Sequence, residues 1–257
     1  MRAIILAAGM GKRLTSPADS PNKASGEAGP PPKCLLQFGG RTLLERHLRL
    51  LRQAGVGEVV LAVGYAPERI EAELDRLQWQ PRPRLVLNPR YDLGSVLTAH
   101  CVADALTAGG DVLLMDADVL YDGRMLAALC AGAHADRMLL DRGFQPGDEP
   151  VKICLRDGVP VEFRKRLAPD LRYDTWGESV GFFRFTEGGA RRFAELVAGY
   201  VHSGRTDQPH EETLRDMLLE DPARFDIADV TGLPWLEIDF PADLVRARDE
   251  ILPQLQE

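Results

Sequence analysis

Arg2-Ala3-Ile4-Ile5-Leu6-Ala7-Ala8-Gly9-Met10-Gly11-Lys12-Arg13-Leu14 opens the chain and carries its strongest structural signal. The mostly apolar run over residues 2–7 suits a buried strand, and it leads straight into a glycine turn bearing two cations. Glycines let a backbone approach a polyphosphate closely, the turn N–H groups donate to phosphate oxygens, and Lys12 and Arg13 supply the compensating charge. The stretch is not a Walker A loop, because no Gly-Lys-Ser/Thr follows. It is not a dinucleotide fingerprint either, because Leu14 stands where a third glycine is needed. Two glycines after a strand are weak evidence alone; Arg13, and Lys33 in Pro32-Lys33-Cys34-Leu35-Leu36, raise the specificity.

Outward from this turn, residues 42–54 place Leu43, Leu44, His47, Leu48, Leu50 and Leu51 on one helical stripe, stopped by Gly55. Residues 58–63 read as a strand, 67–77 as a helix, 84–88 as a strand, 95–108 as a helix and 111–115 as a strand. Strands alternating with helices imply parallel pairing through right-handed crossovers, and so a layered α/β sheet. After about residue 136 the rhythm changes. Residues 151–156 and 159–165 flank Asp157-Gly158, which predicts an antiparallel hairpin with a primed turn. A strand over 180–185, helices over 187–202 and 211–219, strands over 225–228 and 235–238, and a helix from Pro241 complete the reading. With no repeat and no clean linker, residues 1–257 read as one α/β domain with a mixed C-terminal portion.

Of 257 residues, 45% are hydrophobic and 27% charged, which places the chain among ordinary globular proteins with a sizeable core. The 31 Lys and Arg against 39 Asp and Glu give a net charge of −8, which argues against broad binding to nucleic acid or anionic membrane. Bound phosphates therefore need local cations. Cys34, Cys101, Cys130 and Cys154 form no C-x-x-C pair, which suits buried thiols in a reducing, cytoplasmic compartment. The opening apolar run is short for a signal peptide, and no run of roughly 18 apolar residues predicts a membrane span. Residues 15–32 hold Pro17, Pro21, Pro30, Pro31 and Pro32 and no large apolar residue, so they predict a mobile loop, either a lid or a tolerated insertion.

The motif L-A-A-G-x-G-x-R-L, followed by Pro32-Lys33 and the stretch from Gly39 to Glu45, resembles the signature of the sugar nucleotidyltransferase-like family. Within it, the short members similar to bacterial phosphocholine cytidylyltransferases fit best. Val63-Gly64-Tyr65, Asn88-Pro89-Arg90-Tyr91, Met115-Asp116-Ala117-Asp118 and Glu237-Ile238-Asp239 follow in the expected order. The loop over 15–32 is longer than the family's usual spacer. The resemblance implies a single-domain Rossmann-like, GT-A-like nucleotidyltransferase fold, with a mixed, mostly parallel sheet flanked by helices.

Asp116-Ala117-Asp118 follows an apolar strand, and carboxylates two apart at a strand's C-terminal end suit Mg²⁺. An Asx turn or helix cap is the alternative for an isolated aspartate there. The resemblance makes Asp118 the stronger ligand and Asp116 the weaker, and places a further metal carboxylate at Asp239. Asp239 also reads as an N-cap for the last helix. It leaves Glu237 a neighbour without an assigned role. Arg13 and Lys33 are the expected catalytic cations. Ala7, Ala8, Gly9, Gly11 and Lys12 are expected to hold the nucleotide, with Gly94 and Ser95 near the base; Ser95 is equally a plain N-cap.

By the same resemblance Lys152 could hold an acceptor phosphate, although a strand lysine is commonly a solvated edge charge. Tyr173, Asp174, Trp176, Glu178 and Trp235 offer material for an aromatic and acidic cage around an ammonium group. The histidines His47, His100, His134, His202 and His210 show neither triad nor metal spacing and read as structural or surface residues. The implied reaction is attack by an acceptor phosphate or phosphonate oxygen on the α-phosphorus of CTP, assisted by Mg²⁺, with pyrophosphate leaving. Inositol phosphate and hexose 1-phosphate stay open as acceptors. A glycosyltransferase and an inactive nucleotide-binding regulator are the rival classes.

Overall fold

The computed structural model describes residues 1–14, 29–132 and 135–256. Residues 15–28 of the proline-rich segment, and His134, lie outside the described residues. The first strand, β1 (Arg2–Ala7), sits at the centre of the main sheet, with all but two of its residues fully packed. Two short strands, β2 (Gln37–Phe38) and β3 (Arg41–Thr42), form a small hairpin that leads into helix α1 (Leu43–Gln53). Thr42 caps that helix by accepting from the Glu45 N–H, and the leucine stripe packs on the sheet.

Strand β4 (Glu58–Val63), helix α2 (Pro67–Leu77) and strand β5 (Arg84–Leu87) form the next crossover. The segment expected as one helix over 95–108 is two, α3 (Ser95–Cys101) and α4 (Ala103–Thr107). Buried Val102 breaks them apart with its backbone at φ −98° and ψ 14°. Strand β6 (Val112–Asp116), strand β7 (Val119–Tyr121), helix α5 (Arg124–Cys130) and strand β8 (Asp136–Asp141) follow. The predicted hairpin is β9 (Lys152–Arg156) with β10 (Val159–Arg164). Asp157 at φ 51° and Gly158 at φ 78° make the primed turn expected. The long strand β11 (Thr175–Phe185), helices α6 (Glu187–His202) and α7 (His210–Glu220), strands β12 (Phe225–Asp229) and β13 (Trp235–Glu237) and helix α8 (Pro241–Arg246) complete the chain.

The sheet runs in the order β10, β9, β11, β6, β1, β4, β5, with β8 pairing β11 and carrying β12. β6, β1, β4 and β5 are parallel, whereas β11 is antiparallel to β6, β8 and β9. One apolar layer, with α3, α4, α6 and α7, covers one face; the other lies under α1, α2 and α5. The C-terminal ends of β1 and β6 therefore open on the same edge, where an α/β sheet binds its ligands. No described helix is long and apolar enough to cross a membrane. Among the thiols, Cys34 and Cys154 are buried, Cys101 and Cys130 are half-buried, and all four are free.

Candidate active site

At that edge lies a cavity of about 410 Å³ lined by Ala7, Ala8, Gly9, Gly11, Lys12, Arg13, Lys33, Ser95, Asp116, Asp118 and Asp239. The glycine turn, the three cations and the three aspartates, drawn from distant parts of the sequence, thus face one space. Gly11 holds φ +66°, a conformation that favours glycine, and a Cβ there would stand 3.0 Å from the Lys33 side chain. The lysine stem runs across the turn at that point.

Lys33 Nζ donates to Asp118 Oδ2 at 2.7 Å and to Asp239 Oδ1 at 2.6 Å. Burial works against its charge, but the two carboxylates outweigh that and hold its pKa above the ordinary lysine range. Arg13 Nη1 donates to Asp239 Oδ2 and to Glu149 Oε2, both at 3.0 Å, and its guanidinium lies over the Phe240 ring. Asp239 does not cap α8. Asp243 does so instead, its Oδ2 accepting from the N–H groups of Asp239 and Phe240, which frees the Asp239 carboxylate for the two cations.

Ligand oxygens of Asp118, Glu237 and Asp239 all lie within 4.8 Å of one another. Three hard oxygen donors on a cavity wall fit Mg²⁺, which takes one or two carboxylates and fills its octahedron with substrate oxygens and water. Partial desolvation at the cavity wall, together with the charges of Asp118 and Asp239, pushes the Glu237 carboxyl above the ordinary carboxylate range. Asp116 does not belong to this cluster. Burial pushes it up to about 7, with Glu211 and Asp118 adding to the effect, and Gly181 packs against it so closely that a Cβ would stand 2.4 Å from Oδ2.

The other end of the cavity holds a group that spacing did not reveal. His210, only 3% exposed, stands at the start of α7; its Nδ1 is 3.0 Å from both Ser95 Oγ and Glu211 Oε2. Burial opposes its charge, yet Glu211 and Asp116 raise its pKa to about 9. Ser95 Oγ also accepts from the His210 backbone N–H, so Ser95 ties α3 to α7 and is not an N-cap. The N-cap position belongs to Gly94, which does not line the cavity. A Cβ there would stand 2.1 Å from the Gln208 carbonyl oxygen, so Gly94 serves the packing of α3 on the 207–208 backbone.

A second cavity, of about 360 Å³, adjoins the first through Glu237 and Asp239. Asp141, Phe144, Glu149, Glu178, Trp235 and Phe240 are among its walls. Trp235 Nε1 donates to Asp141 Oδ2 at 2.8 Å, and burial, with Asp141 nearby, pushes Glu178 up to about 7. The expected cage is only half assembled. Trp176 packs instead on Phe144 and Tyr173, with ring centroids 5.1 and 5.8 Å apart. The Asp174 carboxylate accepts from the Asp157 N–H and braces the β9–β10 turn. Lys152, 5% exposed, has its ammonium bonded to the carbonyl oxygens of Gly147 (2.6 Å), Pro150 (3.1 Å) and Lys165 (2.6 Å). Its three donors are taken by backbone, which makes it a brace for the 142–150 loop and corrects the expectation of a phosphate ligand. Of the proline-rich segment, the described end is anchored: Tyr65 Oη donates to the Pro30 carbonyl and Arg69 to those of Gly29 and Pro30.

The MobA-like NTP transferase domain matches residues 3–186. A CMP-5'-(3-aminopropyl)phosphonate synthase from Streptomyces rubellomurinus is 26% identical over 250 residues, which cover 95% of this chain and 37% of that protein. A bifunctional IPC transferase and DIPP synthase from Rubrobacter xylanophilus is 28% identical over 251 residues, 97% of this chain and 52% of that one. The chain thus spans about a third to a half of the length of these two relatives. Among solved structures, CTP:phosphocholine cytidylyltransferase from Streptococcus pneumoniae is similar with a TM-score of 0.69 at 19% identity, covering 98% of both chains.

Proposed function

From a chain that belongs to the MobA-like NTP transferase domain family, we propose a CTP-dependent nucleotidyltransferase that moves CMP onto a small phosphorylated or phosphonate amino-alcohol. One observation carries the reading: Arg13, Lys33, Asp118 and Asp239 meet between a nucleotide-sized cavity and a second, acidic and aromatic one. Relatives named for CMP-phosphonate and phosphocholine chemistry support CTP as donor and an amine-bearing acceptor.

In this reading the triphosphate lies along the 9–13 turn, where its oxygens accept from backbone N–H groups and from Lys12, Arg13 and Lys33. The acceptor enters the second cavity, its cationic end among Asp141, Glu178 and Trp235 and its phosphate or phosphonate oxygen toward Asp239. That oxygen attacks the α-phosphorus in line, the bond to the β-phosphate oxygen breaks, and pyrophosphate leaves against Arg13 and Lys33. Two anions are brought together, so the work is positioning and charge compensation, and no covalent enzyme intermediate is required. Asp118, Asp239 and Glu237 would hold Mg²⁺, which when bound supplies Lewis-acid charge for the phosphate oxygens.

Pyrophosphate release, measured with each of the four NTPs against phosphocholine, 2-aminoethylphosphonate, inositol 1-phosphate and glucose 1-phosphate, tests the proposal. Turnover with CTP and an amine-bearing acceptor supports it. Turnover confined to a sugar or inositol phosphate refutes the acceptor class, and turnover confined to another NTP refutes the donor.

A further inference from the structure

We infer that the Lys33 ammonium and a divalent cation are alternative occupants of one oxygen cradle built by Asp118, Asp239 and Glu237, so that the site accepts its metal together with the nucleotide and resists it alone. The geometry is specific. Lys33 Nζ bridges one oxygen of Asp118 and one of Asp239 at 2.7 and 2.6 Å, so it stands between the two carboxylates. Mg²⁺ bonded to the same two oxygens at about 2.1 Å would stand in nearly the same place. Two cations cannot share it, because like charges about 3 Å apart repel strongly where water is scarce. Arg13 pairs with the other oxygen of Asp239, which holds that carboxylate in place beside Lys33.

The lysine has somewhere to go. Its stem crosses Gly11, whose lack of a side chain keeps the track open, so the lysine chain lies beside the 9–13 turn and shares its cavity. A triphosphate offers the ammonium new acceptors and at the same time brings oxygens that complete a metal's shell. One ligand thus removes the internal cation and recruits the external one. Lys33 and Arg13 compensate the charges of Asp118 and Asp239.

The test is Mn²⁺ binding to the nucleotide-free protein, followed by electron paramagnetic resonance, in the wild type, Lys33→Met and Lys33→Gln. Both neutral variants should bind Mn²⁺ at least about tenfold more tightly than the wild type, because a unit charge within hydrogen-bond distance has been removed. Adding Glu237→Gln to Lys33→Met should weaken binding again. Thermal melting gives a second readout that reports folding directly. Mg²⁺ should raise the melting temperature of the lysine variants more than that of the wild type, by mass action on the folded state. Equal Mn²⁺ affinity in wild type and both variants, or an Mg²⁺-induced shift no larger in the variants, overturns the inference. The inference rests on the proposed metal-assisted reaction, and the two fail separately. Wild-type turnover undiminished by excess chelator removes the reading, whereas Mn²⁺ binding indifferent to Lys33 removes the inference alone.

Discussion

Replacing His210 with glutamine should flatten the pH dependence of stability, and the size of the effect follows from the buried cluster at the start of α7. The imidazole is enclosed, 3.0 Å from the Glu211 carboxylate and from Ser95 Oγ, and its pKa rises from the ordinary 6.5 to about 9. A folded-state pKa above the unfolded one means that the protonated form stabilises the fold. That contribution is fully present below about pH 6.5 and is lost as pH rises through about 9. Each tenfold change in proton affinity is worth about 1.4 kcal/mol, so the whole contribution is on the order of 3 kcal/mol. Urea unfolding of wild type and His210→Gln at pH 6 and pH 9.5 checks it. The wild type should lose about 3 kcal/mol more than the variant between the two pH values. The comparison of slopes matters, because the variant also leaves Glu211 facing an uncharged partner and is less stable at pH 6 for that reason. Equal slopes would refute the charged-pair account of this cluster.

Three further outcomes are expected. Asp118→Asn should lower turnover about 10²- to 10³-fold with unchanged circular dichroism, since a carboxylate that positions Lys33 and would help hold the metal is lost; near-wild-type turnover would remove Asp118 from the site. Because Glu178 is held up at about 7, it carries its charge only above that pH, so the acceptor KM should fall as pH rises through 7. Glu178→Gln should show a flat, higher KM for the acceptor and an unchanged KM for CTP. Lys152→Met should cost about 1–3 kcal/mol in chemical unfolding by removing three charge-assisted hydrogen bonds to backbone carbonyls. Its folded fraction should keep the acceptor KM, and an acceptor KM raised with the CTP KM unchanged would restore Lys152 as a ligand of the acceptor phosphate.

Much of the fold is legible in the sequence because the N-terminal half obeys simple periods. The apolar run into Gly9-x-Gly11, the leucine stripe of α1 and the Asp157-Gly158 turn each express a local rule, and the structure follows them. The misreadings have physical causes. Val102 is apolar and buried, so it continues the helical stripe while its backbone ends the helix. The apolar pattern puts the start of β11 at Val180, although pairing begins at Thr175, because Gly177 and Glu178 interrupt the alternation. Gly177 is there for close packing: a Cβ would stand 2.5 Å from Leu140. Strand β8 carries little apolar signal, because Asp136-Arg137 and Asp141 bound only three apolar residues.

The site shows the same division. Arg13, Lys33, Asp118 and Asp239 sit in short motifs whose chemistry can be recognised from residue type and position, and the structure brings them together. His210 carries no such signal, since its partner Ser95 lies 115 residues away and only the packing of α3 against α7 joins them. Lys152 and Trp176 misled because a cation or a ring in a sequence does not say what already occupies it. In the fold, backbone carbonyls and neighbouring rings do.

The central claim is transfer of a nucleotidyl group from CTP to a small phosphate- or phosphonate-bearing amine. Phosphorus-31 NMR of the protein incubated with CTP, Mg²⁺ and 2-aminoethylphosphonate or phosphocholine observes that transfer directly. The account predicts a new pair of coupled resonances from a CMP-linked product, growing in step with pyrophosphate. CTP that stays intact with both acceptors, or that yields only CMP and pyrophosphate, would contradict it.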